Sequence, residues 1–160
     1  KLLQENLVTT QNQLQEQKEF LDKVLKTLEK ASTKSVSKKS KTSDYDQAMN
    51  LYRTRMYTKV RPKLVQLLKD KQIKGDRRAR ILHNLGMIEF IKKKNDDALI
   101  YFSKLFTEHP KSGFNANGLL YMAKSFDRLK RKEEAKQTLQ ELIKRYPKAK
   151  QVKDAQAMLK

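Results

Sequence analysis

The stretch that decides the fold is residues 79–110, ARILHNLGMIEFIKKKNDDALIYFSKLFTEHP. Its pattern returns 37 positions later at residues 116–147, ANGLLYMAKSFDRLKRKEEAKQTLQELIKRYP. Both copies have a small residue within the first half, another within the second half, and a proline at the end. Proline cannot continue the hydrogen-bond ladder of a helix, so each copy closes there. The repeated pattern predicts pairs of antiparallel helices, each joined by a short turn.

The matching positions of the two copies predict how each pair packs. Gly86 and Ala123 are small where the first helix approaches its partner closely, and Ala98 and Ala135 serve the same purpose from the second helix. Large apolar side chains fill the groove between neighbouring helices. These are Phe102 and Leu105 in one copy and Leu139 and Leu142 in the other.

The same period predicts a first helical pair upstream of residue 79. One further step of 37 positions places Met49 at the small position of the first helix and Arg61 at that of the second. Ile73 then stands where the proline is expected. This pair departs most from the pattern, as an end repeat often does. Its other assigned positions are Tyr45, Ala48, Val65 and Leu68.

The offsets of these small, apolar and proline positions match the tetratricopeptide repeat. The resemblance implies an all-α fold in which the helical pairs stack into a right-handed superhelix. We expect about three repeats over residues 44–160, in which residues 149–160 form a last helix that caps the stack. It also implies that the inner faces of the first helices form a concave groove.

Carrying the repeat phase onto this chain gives a predicted peptide groove. Its apolar centre is Met87, Phe90, Ile91 and Leu120, with basic side chains around it, which suits an extended or helical peptide with apolar anchors and acidic flanks. Alternatively, Phe90 and Ile91 pack against a neighbouring helix or chain. Asp46 occupies a lysine position of the carboxylate-clamp class in this family, which disfavours that ligand class. The predicted groove residues are Asp46, Asn50, Arg53, Thr54, Arg80, His83, Met87, Phe90, Ile91, Asn117, Leu120, Lys124, Asp127 and Arg128.

The composition argues against catalysis and against metal or cofactor binding. The chain has 160 residues, no cysteine and two histidines, His83 and His109, which are far apart in sequence. Without thiols, disulfides, thiolate metal sites and cysteine nucleophiles are excluded. No apolar run approaches the roughly 18 residues of a membrane span. We predict a non-enzymatic protein with no catalytic residues, no metal ligands and no cofactor.

Residues 1–30 have the heptad pattern of a coiled coil, with leucines that recur every seven positions. We predict that this helix joins copies of the chain into a homo-oligomer, and the additional apolar residues Phe20 and Leu25 favour a trimer. The alternative is an amphipathic helix that packs back on its own domain. The predicted oligomerisation residues are Leu3, Leu7, Leu14, Leu21, Val24 and Leu28.

Charge divides the rest of the chain. Residues 31–43 contain four lysines, no acid and one large apolar residue, which predicts a flexible linker. Residues 44–160 carry 28 basic and 13 acidic side chains, and the whole chain has a formal net charge of +19. Such a surface attracts anionic polymers without specificity. The aromatic residues do not interleave with the basic runs as base-stacking platforms would, which disfavours nucleic acid.

The order coiled coil, linker and repeats resembles the YbgF/CpoB family of the periplasmic Tol-Pal system. Three segments are similar to that family: residues 44–57 (DYDQAMNLYRTRMY), 79–112 (ARILHNLGMIEFIKKKNDDALIYFSKLFTEHPKS) and 117–150 (NGLLYMAKSFDRLKRKEEAKQTLQELIKRYPKAK). The Tyr146–Pro147 junction before the last helix is similar as well. The resemblance implies a trimeric adaptor in the Gram-negative periplasm that contacts TolA and a peptidoglycan synthase. Its role there would be to coordinate peptidoglycan synthesis with outer-membrane constriction at division. Any secretion signal is then expected before Lys1.

Two other functions fit the same residues. One is a general periplasmic assembly scaffold of the BamD-like repeat class, which shares the repeat phrasing. The other is a basic module that binds nucleic acid or another anionic polymer through its lysine-rich surface.

Overall fold

The computed structural model describes residues 43–160. The coiled coil predicted over residues 1–30, and the predicted linker up to residue 42, lie outside the described residues. Within the described part every regular element is an α-helix. In chain order they are α1 (Asp44–Arg53), α2 (Tyr57–Lys69), α3 (Gly75–Ile91), α4 (Asn95–Glu108), α5 (Asn115–Arg128), α6 (Lys132–Arg145) and α7 (Gln151–Met158).

The helices pack as three consecutive pairs and a last helix. Each helix contacts the next one along the chain, from α1 through α7. In addition, α3 contacts α5, and α5 contacts α7. The first helices of successive pairs therefore lie side by side in one layer, with the second helices behind them. We call the first helices of the pairs the A helices and the second ones the B helices.

The close approach within the middle pair depends on Gly86. A Cβ atom added at this position would lie 2.5 Å from the Phe102 ring, a separation that real Cβ atoms do not reach. The ring of Phe102 therefore occupies the space that a side chain at position 86 would fill. Gly118 permits a similar approach between pairs, because an added Cβ would lie 3.0 Å from Leu105. The predicted roles of Gly86, Phe102 and Leu105 agree with this packing.

The first pair is displaced by one position from the prediction. The turn from A helix to B helix contains a non-glycine residue with positive φ in every pair, at Arg55 (58°), Lys93 (61°) and Lys130 (64°). Their spacing is 38 residues and then 37. The extra residue lies between Leu67 and Leu82, which are one position farther apart than Leu105 and Leu119.

This displacement corrects the residues assigned to the first pair. Ala48, not Met49, is the small residue of its A helix, and Val60, not Arg61, takes the small position of its B helix; both are fully buried. The apolar positions belong to Leu64 and Leu67 rather than to Val65 and Leu68, which are half-buried. Gln72 stands at the proline position, and the predicted residue, Ile73, is instead buried in the core of the first pair.

Arg61 contributes an ion pair instead of a small side chain. It donates a hydrogen bond from Nε to Oε1 of Glu89, whose side chain is completely buried in α3. This hydrogen bond raises the pKa of Arg61 above its usual value, against an opposing effect of burial. The other oxygen of the carboxylate, Oε2, has no partner among the described residues. Glu89 stands at the position that Phe126 occupies in the third pair.

Helix α7 covers the end of the third pair. Ala155 is its buried residue, and Val152 packs beside it against the cluster of Leu139 and Leu142. The helix spans Gln151–Met158, which is shorter than the predicted range.

Candidate functional site

The predicted groove residues of the middle and third pairs lie on the A helices α3 and α5. The middle pair supplies Arg80, His83, Met87, Phe90 and Ile91, and the third pair supplies Asn117, Leu120, Lys124, Asp127 and Arg128. We call the side of α1, α3, α5 and α7 that carries these residues the A-helix face. The side chains on this face differ greatly in how far solvent reaches them.

The extra residue before α3 changes which residues of the first pair belong to this face. The predicted residues Asp46, Asn50 and Thr54 lie one position away from the repeat equivalents of His83, Met87 and Ile91. With the observed offset of 38, Tyr45 is equivalent to His83 and Met49 to Met87. In the same way Tyr52 is equivalent to Phe90 and Arg53 to Ile91. Arg53 thus remains in the set at a different repeat position, and it donates a hydrogen bond to the Asn50 side chain at 2.9 Å. Asn50 is exposed.

Phe90 is not an open apolar anchor. Its ring is 8% exposed and meets the edge of the Tyr121 ring, with the two centroids 4.9 Å apart. The guanidinium of Arg128 lies over it, 3.7 Å from the centroid, and Arg128 Nη1 donates to the Phe90 carbonyl at 2.9 Å. The structure therefore matches the alternative for Phe90, packing against a neighbouring helix. Ile91 keeps 47% of its surface exposed.

The other two residues of the predicted apolar centre, Leu120 and Met87, are also buried or half-buried. Leu120 is only 3% exposed, although it forms part of the floor of a recess between α5 and α7. Met87 is half-buried against the cluster that contains Phe90. The apolar surface that a partner can reach on α3 is accordingly centred on Ile91. The recess beside Leu120 has a volume of about 210 Å³ and is also lined by Asn117, Tyr121, Lys124, Lys150, Gln151 and Asp154.

A row of polar contacts crosses the A helices near the middle of this face. Asn117 Nδ2 donates to Nε2 of His83 at 2.8 Å, while Nδ1 of His83 lies 3.3 Å from the Asn84 Oδ1. This arrangement fits a neutral imidazole whose hydrogen is on Nδ1. Asn84 also reaches the Met49 sulfur at 3.5 Å, and Gln151 donates to Asn117 Oδ1 at 3.5 Å. The row therefore links α1, α3, α5 and α7.

The surroundings of His83 keep its imidazole neutral. Burial lowers its pKa below the usual 6.5, and the charge of Arg80 acts in the same direction, while the hydrogen bond to Asn84 opposes them. The ring stacks near Phe114, with centroids 5.2 Å apart. His83 is thus part of the packing between two A helices, consistent with a structural role.

Two tyrosines of the A helices, Tyr52 and Tyr121, interact on this face, and Tyr57 at the start of α2 lies beside Tyr52. Burial raises the pKa of Tyr52 to about 12, with smaller contributions from Tyr57 and Tyr121. The rings of Tyr52 and Tyr57 are 5.7 Å apart. Lys124 stands over the ring of Tyr121, with its Nζ 4.9 Å from the centroid. Two cations of this face, Lys124 and Arg128, therefore lie over aromatic rings.

Several of these residues were missed by sequence reasoning. Tyr121 was absent from the predicted set, and Tyr45 and Tyr52 were assigned no part in the groove because the first pair was counted with the wrong offset. The turn residues with positive φ mark the correct offset. Their identities, Arg55, Lys93 and Lys130, do not predict positive φ, because among residues other than glycine this conformation favours asparagine and aspartate.

The described residues contain neither a cluster of metal-ligating side chains nor a helix that could span a membrane. Within residues 43–160 no three histidine, aspartate or glutamate side chains come close enough together to hold a metal ion. In the same part of the chain, no helix combines the length and the apolar character that crossing a bilayer requires.

Comparison with known proteins agrees with the helical repeat. The sequence model of the tetratricopeptide repeat matches residues 118–149, which run from α5 to just beyond α6. Among solved structures, the N-terminal domain of stress-induced protein-1 (STI-1) from C. elegans is similar, with a TM-score of 0.59 at 13% identity, covering 74% of this chain and 93% of that one. No curated protein sequence matches the chain. The described residues have the tetratricopeptide-repeat fold, which indicates an adaptor for protein–protein interaction.

Proposed function

We propose that the A-helix face binds a segment of a partner protein, with Ile91 as its apolar contact. The supporting observation is that this face combines a 47% exposed isoleucine with cations held over aromatic rings. Lys124 and Arg128 have no carboxylate partner within salt-bridge distance among the described residues. An amphipathic peptide with an apolar anchor and acidic neighbours complements this surface.

The test uses two isoleucines that differ in location but hardly in exposure. Ile91 ends the A helix α3, whereas Ile100, on the B helix α4, is 53% exposed. A peptide selected from a random library against the wild-type chain is titrated against Ile91→Asp and Ile100→Asp. We expect Ile91→Asp to weaken binding about tenfold or more, the effect of losing a central apolar contact. Ile100→Asp is expected to change the affinity less than about twofold, as for a residue outside the interface.

Two results would contradict the proposal. One is equal binding by both variants and the wild type, and the other is a larger loss with Ile100→Asp. Circular dichroism melts of both variants check that the substitutions leave the fold intact. Because both side chains are about half exposed, neither substitution removes a buried apolar contact.

We further propose that the chain works in the Gram-negative cell envelope, as the YbgF/CpoB resemblance implies. In that setting the protein is periplasmic, its partners are TolA and a peptidoglycan synthase, and it coordinates peptidoglycan synthesis with outer-membrane constriction at division. A titration of the chain with the soluble part of TolA tests this assignment directly. Binding that Ile91→Asp weakens supports it. The absence of binding would favour a general envelope scaffold of the BamD-like class.

We also propose that residues 1–30 join the chains into a trimer. The heptad leucines support this proposal, and association would let several weak partner contacts act together. Sedimentation equilibrium of the wild type and of a Leu14→Asp/Leu21→Asp variant measures the mass. A trimer that the variant reduces to a monomer supports the proposal, whereas a wild-type monomer would contradict it.

One observation favours a second candidate, the binding of an anionic polymer. Residues 44–160 have 28 basic against 13 acidic side chains, and few of the cations are paired within the described residues. Non-specific attraction of this kind falls steeply with salt. Partner binding that disappears between 50 and about 200 mM salt and ignores Ile91→Asp would favour this candidate.

A further inference from the structure

A separate pocket opens at one end of the A-helix face, away from Ile91 in the repeat. Tyr45 of α1 forms one wall, and the first turns of α3 supply Asp76, Arg77 and Arg80. Gly113 and Phe114, from the connection before α5, close the other side. The pocket has a volume of about 540 Å³. Three consecutive A-helix regions therefore contribute to it, and we call it the arginine pocket.

Two exposed arginines of this pocket lie near its aromatic walls, within cation–π distance. The Arg77 guanidinium carbon lies 5.1 Å from the centroid of the Tyr45 ring, and that of Arg80 lies 5.7 Å from the centroid of Phe114. Tyr45 is buried and Phe114 is half-buried, so both rings are fixed by the core. Because both arginine side chains are exposed, their N–H donors remain accessible to a ligand.

The donors of these two arginines are unused within the described residues. Among residues 43–160, neither Arg77 nor Arg80 has a hydrogen-bond acceptor or a carboxylate within salt-bridge distance. The arginine between them is different. Arg78 donates to the Leu68 carbonyl at 2.8 Å and lies 3.8 Å from the Glu108 carboxylate. One arginine of this run thus joins two helical pairs, while its neighbours face the pocket.

The charge balance of the pocket indicates the class of its occupant. Two guanidinium groups and the single carboxylate of Asp76 leave one net positive charge on its walls. A carboxylate matches the planar fork of arginine in shape and neutralises that charge. A run of phosphates would bring several further negative charges beside the carboxylate of Asp76, which repels them.

We propose that the arginine pocket binds a carboxylate side chain of an acidic segment in a partner protein. The proposal depends on the proposed function only in taking the partner to be a protein. Arg77 and Arg80 donate to the carboxylate, and the rings of Tyr45 and Phe114 hold the two guanidinium groups in place. The pocket thereby fixes which end of a partner segment lies toward the start of α3, because the acidic residue must reach the pocket while the apolar residue reaches Ile91 at the other end of this helix.

The test separates a built pocket from the general positive charge of the chain. The probe is a fluorescein-labelled hexaglutamate peptide, acetylated and amidated at its ends, followed by fluorescence anisotropy with the full chain. The variant Arg77→Lys/Arg80→Lys keeps both charges but loses the planar forks and the stacking. The control Lys104→Gln/Lys136→Gln removes two charges from exposed positions on the B helices α4 and α6. Hexaglutamine and a hexathymidylate oligonucleotide serve as comparison probes.

A specific pocket and non-specific attraction differ in which variant, the arginine one or the lysine control, should lose more affinity for hexaglutamate. If the pocket binds a carboxylate, Arg77→Lys/Arg80→Lys weakens hexaglutamate binding about tenfold, the scale of a lost bidentate charge-assisted contact. The lysine control then changes it less than about twofold, because isolated surface charges contribute little. Hexaglutamine binds weakly to all variants, and hexathymidylate binding does not depend on the two arginines.

Three results would overturn the proposal. They are an unchanged affinity in Arg77→Lys/Arg80→Lys, a larger loss in the lysine control, and a loss of hexathymidylate binding as large as the loss of hexaglutamate binding. If the double variant fails to fold, Phe114→Leu removes the ring beneath Arg80 and is expected to weaken hexaglutamate binding in the same direction. Hexaglutamate results are independent of Ile91→Asp, so the pocket and the proposed function can fail separately.

Discussion

The junction between the first and middle pairs differs from the junction between the middle and third pairs at equivalent positions. In the second junction Leu99 of α4 and Phe126 of α5 lie in one apolar cluster. In the first junction the equivalent residues are Arg61 and Glu89, which form an ion pair with the carboxylate fully buried. The first junction also contains one extra residue. The same helical frame therefore accepts either an ionic or an apolar contact, provided that the two side chains match each other.

The first test of the difference between the two junctions removes Arg61, one partner of the ion pair. Arg61→Leu leaves Glu89 buried without its partner, so we expect the free energy of unfolding to fall by about 2–3 kcal/mol. This is below the full cost for a completely buried pair, because 35% of the Arg61 side chain is exposed and water screens it. Urea titration at pH 7 measures the change.

The double variant Arg61→Leu/Glu89→Phe converts the first junction to the chemistry of the second. Replacing a buried ion pair by apolar residues of similar volume is often neutral or stabilising. We therefore expect the double variant to recover at least the stability lost by Arg61→Leu alone. A double variant that is less stable than the single one would show that the two junctions are not equivalent.

A second test concerns the middle pair itself, where glycine faces phenylalanine. The first and third pairs have Ala48 and Ala123 at the position of Gly86, and leucines, Leu64 and Leu139, at the position of Phe102. Gly86→Ala is expected to lower the free energy of unfolding by about 1–3 kcal/mol, because its Cβ would collide with the Phe102 ring.

The matched rescue is Gly86→Ala/Phe102→Leu, which gives the middle pair the alanine–leucine contact of its neighbours. We expect this double variant to be more stable than Gly86→Ala, as measured by thermal unfolding. If Gly86→Ala alone is as stable as the wild type, glycine and phenylalanine are not coupled in the way the structure indicates.

A third test uses pH, since His83 belongs to the contact between α3 and α5. The pKa of His83 is lowered in the folded protein, so the unfolded chain takes up a proton more readily as the pH falls below 6.5. The contribution of the neutral imidazole to stability is therefore complete above pH 6.5 and decreases below it. One proton changes the free energy of unfolding by at most about 1.4 kcal/mol per pH unit.

The control is His83→Gln, which keeps two hydrogen-bonding groups but does not titrate. Urea titrations of both proteins from pH 7.5 to 5 should show a smaller decrease for the variant. Carboxylates common to both proteins contribute equally and cancel in the difference. Parallel curves for the two proteins would contradict this account of His83.

The smallest expected effect concerns the turn between the A helix and the B helix, where all three pairs have a residue with positive φ. Lys93 has a φ of 61° in the turn between α3 and α4, a conformation that costs a side-chain-bearing residue about 1 kcal/mol relative to glycine. Lys93→Gly should therefore raise the free energy of unfolding by up to about 1 kcal/mol. Lys94, with a φ of −85°, is the matched control, and Lys94→Gly should not stabilise the protein. Equal stabilisation by both would rule out the turn conformation as the cause.

The candidate site could be predicted only in part. The repeat phase assigned Arg80, His83, Met87 and Ile91 to a single helix, and the structure has all four on α3, because residues three and four positions apart share a helix face. It did not show that Arg128 covers Phe90, since that contact joins residues 38 positions apart through the meeting of two helices. The arginine pocket was also missed. Its walls come from three separate parts of the chain, and Arg77 and Phe114 have no repeat position that marks them as pocket residues.

The sequence by itself determined that the described residues are helical, that the helices form pairs, and how the middle and third pairs align. These properties depend on local spacing, because a helix face and a helix end are fixed by residues within a few turns of each other. The proposal for residues 1–30 has the same local basis and remains a prediction.

Only the tertiary structure decided the offset of the first pair, the partner of Glu89 and the exposure of each aromatic ring on the A-helix face. A single extra residue between Leu67 and Leu82 can be absorbed in a connection without any change in local pattern, yet it moves every preceding residue by one position in the repeat. Which side chains then meet across neighbouring helices depends on their volume and charge in three dimensions, and close packing allows few arrangements.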